Sequence, residues 1–301
     1  MTRSGFVGLA GRPNVGKSTL VNAVVGAKVA IVSDRPQTTR RAARGIATDP
    51  GGGWQMVLVD LPGVQRPRDQ LTGRMQRRVV HELGEADAVL LVVNGEQGVG
   101  PGDRFISKAL LGAKSEAGAA TPVVCAVNKV DRLGPAETAV ALAGAAELEA
   151  VDEVFPVSAR TRDGLDALAE RLAELLPEGP LLYPPDERVD RASDVHLAEL
   201  VREQVLHRTR EEVPHSVEVA VDELIERDDG IWELRAQIWV EAESQKGILI
   251  GKGGRMVREI GTAARRELEG ELGSQVFLDL EVKVREHWRR DERLLDHLGI
   301  E

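Results

Sequence analysis

The run Gly11-Arg12-Pro13-Asn14-Val15-Gly16-Lys17-Ser18 has the residue types and spacing of a loop that wraps phosphate. Its glycines let the backbone turn N–H groups toward phosphate oxygens. Lys17 supplies a point charge for β- and γ-phosphates, and the Ser18 hydroxyl can ligate magnesium. A chance glycine-rich turn is the bland alternative. It would not need the apolar strand expected at Phe6–Ala10 or the helix expected at Lys17–Val25, whose N-terminus favours an anion.

Three shorter motifs follow in order. Asp60-Leu61-Pro62-Gly63 ends an apolar run, which places Asp60 to hold magnesium through water and Gly63 to offer its backbone N–H to a γ-phosphate. Asn128-Lys129-Val130-Asp131 ends another. A carboxylate at Asp131 can accept from the two guanine donors at N1 and N2, and adenine would leave it unpaired. Ser158-Ala159 ends the last run, where backbone groups can reach the guanine carbonyl. Taken singly, each of the three is as well explained by an ordinary polar turn. Their shared order after a phosphate loop is what gives them weight.

The elements that must position these residues alternate through the first 176 or so residues. Gln55–Asp60, Ala88–Asn94, Pro122–Asn128 and Val154–Ser158 read as strands, and Leu165–Leu176 as an amphipathic helix. Continuous apolar strands between helices imply a mostly parallel sheet covered on both faces, with ligands at the carboxyl ends of its strands. Pro177, Pro180, Pro184 and Pro185 mark a boundary, giving a nucleotide-binding domain over 1–178, a linker over 179–191 and a second domain over 192–301. That second part reads as α-β-β-α-α-β with a closing helix: Asp194–Thr209, Val217–Val221, Leu234–Val240, the glycine-rich helical segment Gly247–Leu272, Val276–Val284 and Arg290–Leu298.

Hydrophobic residues make up 42% and charged residues 29%, enough to fill a core. The single cysteine, Cys125, excludes an internal disulfide framework and reads as a packing residue in a reducing compartment. No secretory leader and no apolar stretch long enough to cross a bilayer is visible, so a cytoplasmic location is expected.

The net charge of -10 argues against general nucleic-acid binding. From residue 190 onward 17 Lys and Arg face 26 Asp and Glu, yet Lys246–Arg266 holds six basic residues and one acid, Glu259. They surround Gly251-Lys252-Gly253-Gly254, a G-x-x-G loop of the kind that clamps about four nucleotides in KH domains. Lys246, Gly251, Lys252, Gly253, Gly254, Arg255 and Arg258 are the candidate RNA contacts. Ile248, Ile250, Val257 and Ile260 are expected to pack on the sheet, and Trp288 with Arg289, Arg290 and Arg293 could form a further edge or a solvated helix face. A mere helix–helix turn is the alternative for the glycine loop. The second domain would then bind a protein partner instead of RNA.

The four motifs of the first half resemble those of translation-factor-class GTPases. By that resemblance Gln37-Thr38-Thr39-Arg40 corresponds to the first switch, with Thr39 on magnesium when GTP is bound. Many such GTPases orient the attacking water with a glutamine directly after Asp-x-x-Gly. Val64 stands there, and Gln65 is one position late, so the chain resembles the relatives with a hydrophobic residue and slow intrinsic hydrolysis. Asn14 occupies a position that helps hold potassium in several relatives; a turn-forming asparagine is the alternative. Potassium is therefore a candidate cation beside magnesium. The residues expected to act on the γ-phosphate are Lys17, Thr39 and Gly63.

With Glu211–Ser216, Ser244–Gly254, Ile260–Glu269 and Trp288–Gly299 added, nearly the whole chain resembles the Era family of bacterial GTPases, of the TrmE–Era class. Leu61 departs from the threonine common in that family's Asp-x-Pro-Gly motif. The resemblance implies an α/β P-loop G domain followed by a smaller α+β type II KH domain. It also implies GTP and GDP as ligands, a monomer, and a role in ribosome assembly. The KH domain would bind the 3′ end of 16S ribosomal RNA on the immature small (30S) subunit. Peripheral association with the inner face of the cell membrane is also known in the family.

Overall fold

The computed structural model describes residues 2–35, 37–116, 121–190 and 194–300, with side chains from 112 to 116 left aside. The expected domain limits at residues 1, 191, 192 and 301 lie outside the described residues. The chain divides into two compact units. The first comprises Met1–Ala30, Thr39–Pro67 and Met75–Asp190. The second comprises Ile31–Thr38, Arg68–Arg74 and Arg191–Glu301.

The first unit is built on β1 (Arg3–Ala10), α1 (Lys17–Val25), β2 (Ala43–Thr48), β3 (Trp54–Asp60), α2 (Gln70–Gly84, from Met75 onward in this unit), β4 (Ala88–Asn94), α3 (Pro101–Glu116), β5 (Val123–Asn128), α4 (Pro135–Ala146), β6 (Glu153–Pro156) and α5 (Leu165–Leu175). Its six strands lie in the order β2-β3-β1-β4-β5-β6, all parallel except β2, which runs antiparallel to β3. Every residue of β4 and β5 is buried. That is why these strands read as unbroken apolar runs: both faces carry helices. One cluster, including Leu9, Leu20, Leu58, Leu90, Leu168 and Leu172, packs α1 and α5 on one face. A second, including Leu91, Ile106, Cys125, Val127 and Ala141, packs α3 and α4 on the other.

The proline-rich stretch lies along the first unit. Ser4 N donates to Pro177 O at 3.0 Å, and a bridge joins Gly45 to Val189. Gln55 is fully buried and fastens the stretch: its Oε1 accepts from Leu182 N and Tyr183 N at 2.8 and 2.9 Å, and its Nε2 donates to Tyr183 O at 3.0 Å.

The second unit contains α6 (Asp194–Arg208), α7 (Val213–Ser216), β7 (Glu218–Glu226), β8 (Trp232–Val240), α8 (Glu243–Ile250), α9 (Arg255–Leu272), β9 (Val276–Val284) and α10 (Glu292–His297). The sheet order is β7-β8-β9, with β8 antiparallel to β7 and parallel to β9. The expected α-β-β-α-α-β order is present. The helical segment 247–272 divides into α8 and α9 at the glycine loop. Leu197, Val201, Val219, Ile238, Leu249, Ile260 and Ala264 form the core between α6, α8, α9 and the sheet. Ile248 is 52% exposed, so Leu249 fills the place expected of it, because a short helix turns only one narrow face to a sheet.

Stretches 31–38 and 68–74 are held into this unit by polar contacts. Val32 N donates to Glu203 Oε1 at 2.9 Å, and Arg35 donates to Thr209 O at 3.1 Å. Arg202, wholly buried beside Glu199 and Glu218, donates to Thr38 O. Asp69 pairs with Arg289, and Arg74 with Asp296 at 2.5 Å. Trp288 is fully buried and donates from Nε1 to Ser216 O at 2.9 Å. It is a core anchor and offers no stacking edge, which corrects the reading drawn from its basic neighbours.

Candidate nucleotide site and nucleic-acid interface

The loop between β1 and α1 brings the phosphate-loop residues together. Gly16 sits at φ 100°, and a Cβ there would lie 2.4 Å from Asn128 Nδ2. Only glycine satisfies both constraints. Lys17 is buried and donates from Nζ to Gly11 O and Arg12 O at 3.2 and 3.3 Å. Burial lowers its pKa to about 8, and the nearby Asp60 charge opposes that shift. A buried ammonium that can exchange two neutral carbonyls for anionic oxygens is well suited to phosphate.

Arg12 turns its side chain away from this centre. It pairs with the buried Asp103 of α3 at 2.9 Å and so ties the loop to the start of that helix. Pro13 lies against Gly63, where a Cβ would meet Pro13 N at 2.8 Å. Asn14 adopts φ 62°, and its carbonyl accepts from Lys129 Nζ at 3.1 Å. Val15 and Leu61 face the core; Val64 is half-buried against it. These three, with the buried Pro62, have only backbone to offer a ligand.

Ser18, Thr39 and Asp60 converge. Ser18 Oγ donates to Asp60 Oδ2 at 2.6 Å, Thr39 Oγ1 to the same atom at 3.2 Å, and the two hydroxyls lie 3.1 Å apart. Asp60 Oδ1 is buried with no hydrogen-bond partner. Burial raises the Asp60 pKa, against the pull of Lys17, Ser18 and Thr39. An orphaned carboxylate oxygen in an all-oxygen donor set fits a hard cation such as magnesium, which fills its other positions with water and phosphate. Among the described residues no group of three or more His, Cys, Asp or Glu is placed to hold a metal ion.

At the ends of β5 and β6 the second set meets. Asn128 Nδ2 donates to Val15 O at 3.0 Å, and its Oδ1 accepts from Ala159 N at 3.0 Å. One amide therefore staples the phosphate loop to the base-side loop. Asp131 Oδ1 accepts from Ser158 Oγ at 2.7 Å, which fixes the carboxylate at the rim. Val130 packs partly into the core. Sequence reasoning did not find two supports: the Arg12–Asp103 pair, and Gln76 of α2, which bonds the backbone beyond Gly63. The first joins residues 91 apart and the second residues 11 and 13 apart across a loop, and neither spacing leaves a local signal.

In the second unit, Gly251, Gly253 and Gly254 all have positive φ, and a Cβ on Gly251 would meet Met256 Cβ at 2.8 Å. Lys252, Arg255 and Arg258 are exposed; Arg255 pairs with Glu259 at 2.8 Å. Lys246, on α8 just before the loop, is half-buried. Beside the loop runs an open groove of about 450 Å³. Val257, Arg258, Gly261, Thr262 and Arg265 of α9 form one wall, and Val276, Phe277, Leu278 and Leu280 of β9 the other. Phe277 is half-exposed there, an aromatic that strand alternation alone does not distinguish from a sheet-surface residue.

A loop of the phosphate-wrapping type beside the Asn128–Asp131 loop in one unit, and a glycine loop beside an open groove in the other, are the features of a GTPase joined to an RNA-binding module. Two family models agree: one described as a 50S ribosome-binding GTPase matches residues 6–129, and a KH domain matches residues 212–289. GTPase Era of Mycobacterium tuberculosis H37Rv is 46% identical over 300 residues, covering 99% of this chain and 98% of its own. GTPase Era of Mycobacterium sp. KMS is 44% identical, with 99% of each covered. A crystal structure of Era with MgGDPNP and nucleotides 1506–1542 of 16S ribosomal RNA superposes with a TM-score of 0.92 at 35% identity, covering 100% of this chain and 99% of that one. A crystal structure of an Aquifex aeolicus Era point variant bound to GDP·AlF4⁻ gives 0.92 at 36% identity, with 99% of each chain covered. The chain belongs to the Era family of GTPases.

Proposed function

We propose that this protein hydrolyses GTP to GDP and phosphate, and that it binds the 3′ end of 16S ribosomal RNA while the 30S subunit is assembled. The observation that carries the proposal is the presence in one chain of the Ser18–Thr39–Asp60 convergence and the groove beside Gly251–Gly254. Likeness across the whole chain to an Era bound to that RNA supports the same reading.

At the nucleotide, Lys17 exchanges its two carbonyl partners for β- and γ-phosphate oxygens. Gly63 presents its N–H to the γ-phosphate. Asp131 accepts from guanine N1 and N2, with Ser158 holding the carboxylate and Ala159 set beside the base by Asn128. Ser18, Thr39 and Asp60 would hold magnesium, which would supply positive charge to offset that of the phosphates. Asn14 is the place for a potassium ion; turnover that is equal in sodium and in potassium would remove that element. Val64 cannot hold a water through its side chain, so hydrolysis is slow.

At the RNA, Lys252 and Arg258 contact phosphates around the glycine loop, with Lys246 and Arg255 at its borders. The groove, with Val257, Phe277 and Leu278 among its lining and Arg258 and Arg265 on one wall, takes unstacked bases and their phosphates. We place the protein in the cytoplasm as a monomer on the small subunit, with peripheral membrane contact to be tested by vesicle flotation. The deciding experiment is titration of an RNA of the sequence 1506–1542 into wild-type protein and Lys252→Asp with a GTP analogue bound. The expected result is loss of RNA binding with GTP turnover intact. Undiminished RNA binding by the variant would favour a protein-binding second domain.

A further inference from the structure

Where many GTPases carry a water-orienting glutamine after Asp-x-x-Gly, this chain carries Val64, and the backbone around it is held by a side-chain clamp. Gln76, in the second turn of α2, accepts from Gln65 N through Oε1 at 3.2 Å and donates to Gly63 O through Nε2 at 3.2 Å. Between these two bonds, Val64 N donates to Gly11 O at 3.1 Å, which ties the segment to the phosphate loop. Gly63 also abuts Pro13, with no room for a Cβ. Three successive backbone groups, Gly63 C=O, Val64 N–H and Gln65 N–H, are thereby committed. Among the described residues nothing accepts from the Gly63 N–H, which leaves it for a ligand.

We propose that Gln76 is a positioning residue for hydrolysis: its side-chain amide fixes the Gly63–Gln65 backbone so that the Gly63 N–H meets the γ-phosphate as charge develops. Oriented donors that need no rearrangement during reaction stabilise developing charge most effectively, and small misplacements of such groups are costly. Gln76 touches neither phosphate nor base in this account. It acts only through the backbone it holds, and the inference rests on Gly63 serving the γ-phosphate. Because the clamped segment lies on the γ side, it should not affect GDP, which lacks that phosphate.

The test is steady-state GTP hydrolysis with parallel GDP binding for wild type, Gln76→Ala and Gln76→Glu. Gln76→Ala removes both bonds; kcat should fall by about 10-fold, with KM and GDP affinity within about twofold of wild type. Gln76→Glu keeps the acceptor for Gln65 N and loses the donor to Gly63 O, so its kcat should fall between the two. An unchanged kcat in Gln76→Ala overturns the proposal. So does a kcat loss matched by an equal loss of GDP affinity, which would mark general damage to the site. Lys17→Ala serves as the reference for the underlying reading. If it binds GDP and turns over GTP like wild type, the nucleotide site itself is misplaced, and that result is distinct from a failure of Gln76 alone.

Discussion

Asp131 stands at an exposed rim, and the side-chain hydroxyl of Ser158 holds its carboxylate at 2.7 Å. An amide there can present only one acceptor to guanine's two donors and turns an N–H toward the other. Asp131→Asn should therefore lower GTP affinity by roughly 100-fold. The same change should improve binding of xanthosine triphosphate, whose second carbonyl accepts what the amide donates. Equilibrium titration with both nucleotides measures this, and equal GTP affinity in the variant would remove Asp131 from the base site. Cys125 gives a contrasting case. Burial, with a contribution from the Asp103 charge, pushes its thiol up to about 12. At pH 8 the thiolate fraction is then on the order of 10⁻⁴. Native protein should resist iodoacetamide for hours at pH 8 and take up one equivalent once denatured. Rapid labelling of the native protein would contradict the burial.

At the scale of elements, two supports can be tested by stability. The Arg12–Asp103 pair joins the phosphate loop to α3, and Asp103 Oδ2 also accepts from Gly100 N at 2.8 Å at the start of that helix. Asp103→Ala leaves a helix-start N–H without a partner and the half-buried Arg12 guanidinium with only its long bond to Gly98 O at 3.4 Å, so a loss of about 1–3 kcal/mol is expected from urea unfolding. Gln55→Ala removes the buried amide that fastens Leu182 and Tyr183. The stretch around them should become sensitive to limited proteolysis while GDP binding persists. Much at this scale was legible in the sequence. β4 and β5 announced themselves because both faces are buried, and α1 because its phosphate loop fixes where it starts. β2 did not: Ala43–Thr48 has one large apolar side chain, Ile46, and exists as a strand because β3 offers it an edge. β6 ends at Pro156 rather than Ser158: Val157 N still donates to Val127 O at 2.9 Å, but Ser158 N donates to Asp163 O at 3.0 Å, so the chain has already turned away from β5. Trp288 looked like an RNA edge because it is flanked by arginines, but which side an aromatic faces is decided by distant partners such as Ser216. The glycine loop was legible from its spacing and the strand Val276–Val284 from its alternation, but not that this strand walls a groove beside the loop.

Over the whole molecule, charge is the organising quantity. The net charge is -10, yet Lys252, Arg255, Arg258 and Arg265 line one loop and one groove wall. An acidic remainder discourages nonspecific contact and leaves one favourable site. If those four side chains meet single-stranded phosphates, log K should fall against log salt with a slope of about −3. A slope near about −8 would mean that RNA wraps much more of the protein than this groove. Arg258→Ala should reduce the slope by a little under one unit without changing GTP turnover.

The second unit is assembled from three separate stretches of chain, 31–38, 68–74 and 191–301. Synthesis is vectorial, so the first two stretches leave the ribosome long before the residues that hold them, such as Arg202, Glu203 and Arg289. At about 5–20 residues per second the delay before those partners emerge is roughly 10–45 s. Throughout that interval the neighbours of Thr39 and Gly63 lack their final anchors, even though the phosphate loop and Asp60 are already made. A nascent chain stalled near residue 190 should therefore bind GDP well before it turns over GTP at the mature rate. That outcome would make the length of chain between residues 31–38 or 68–74 and their anchors a delay between binding nucleotide and using it.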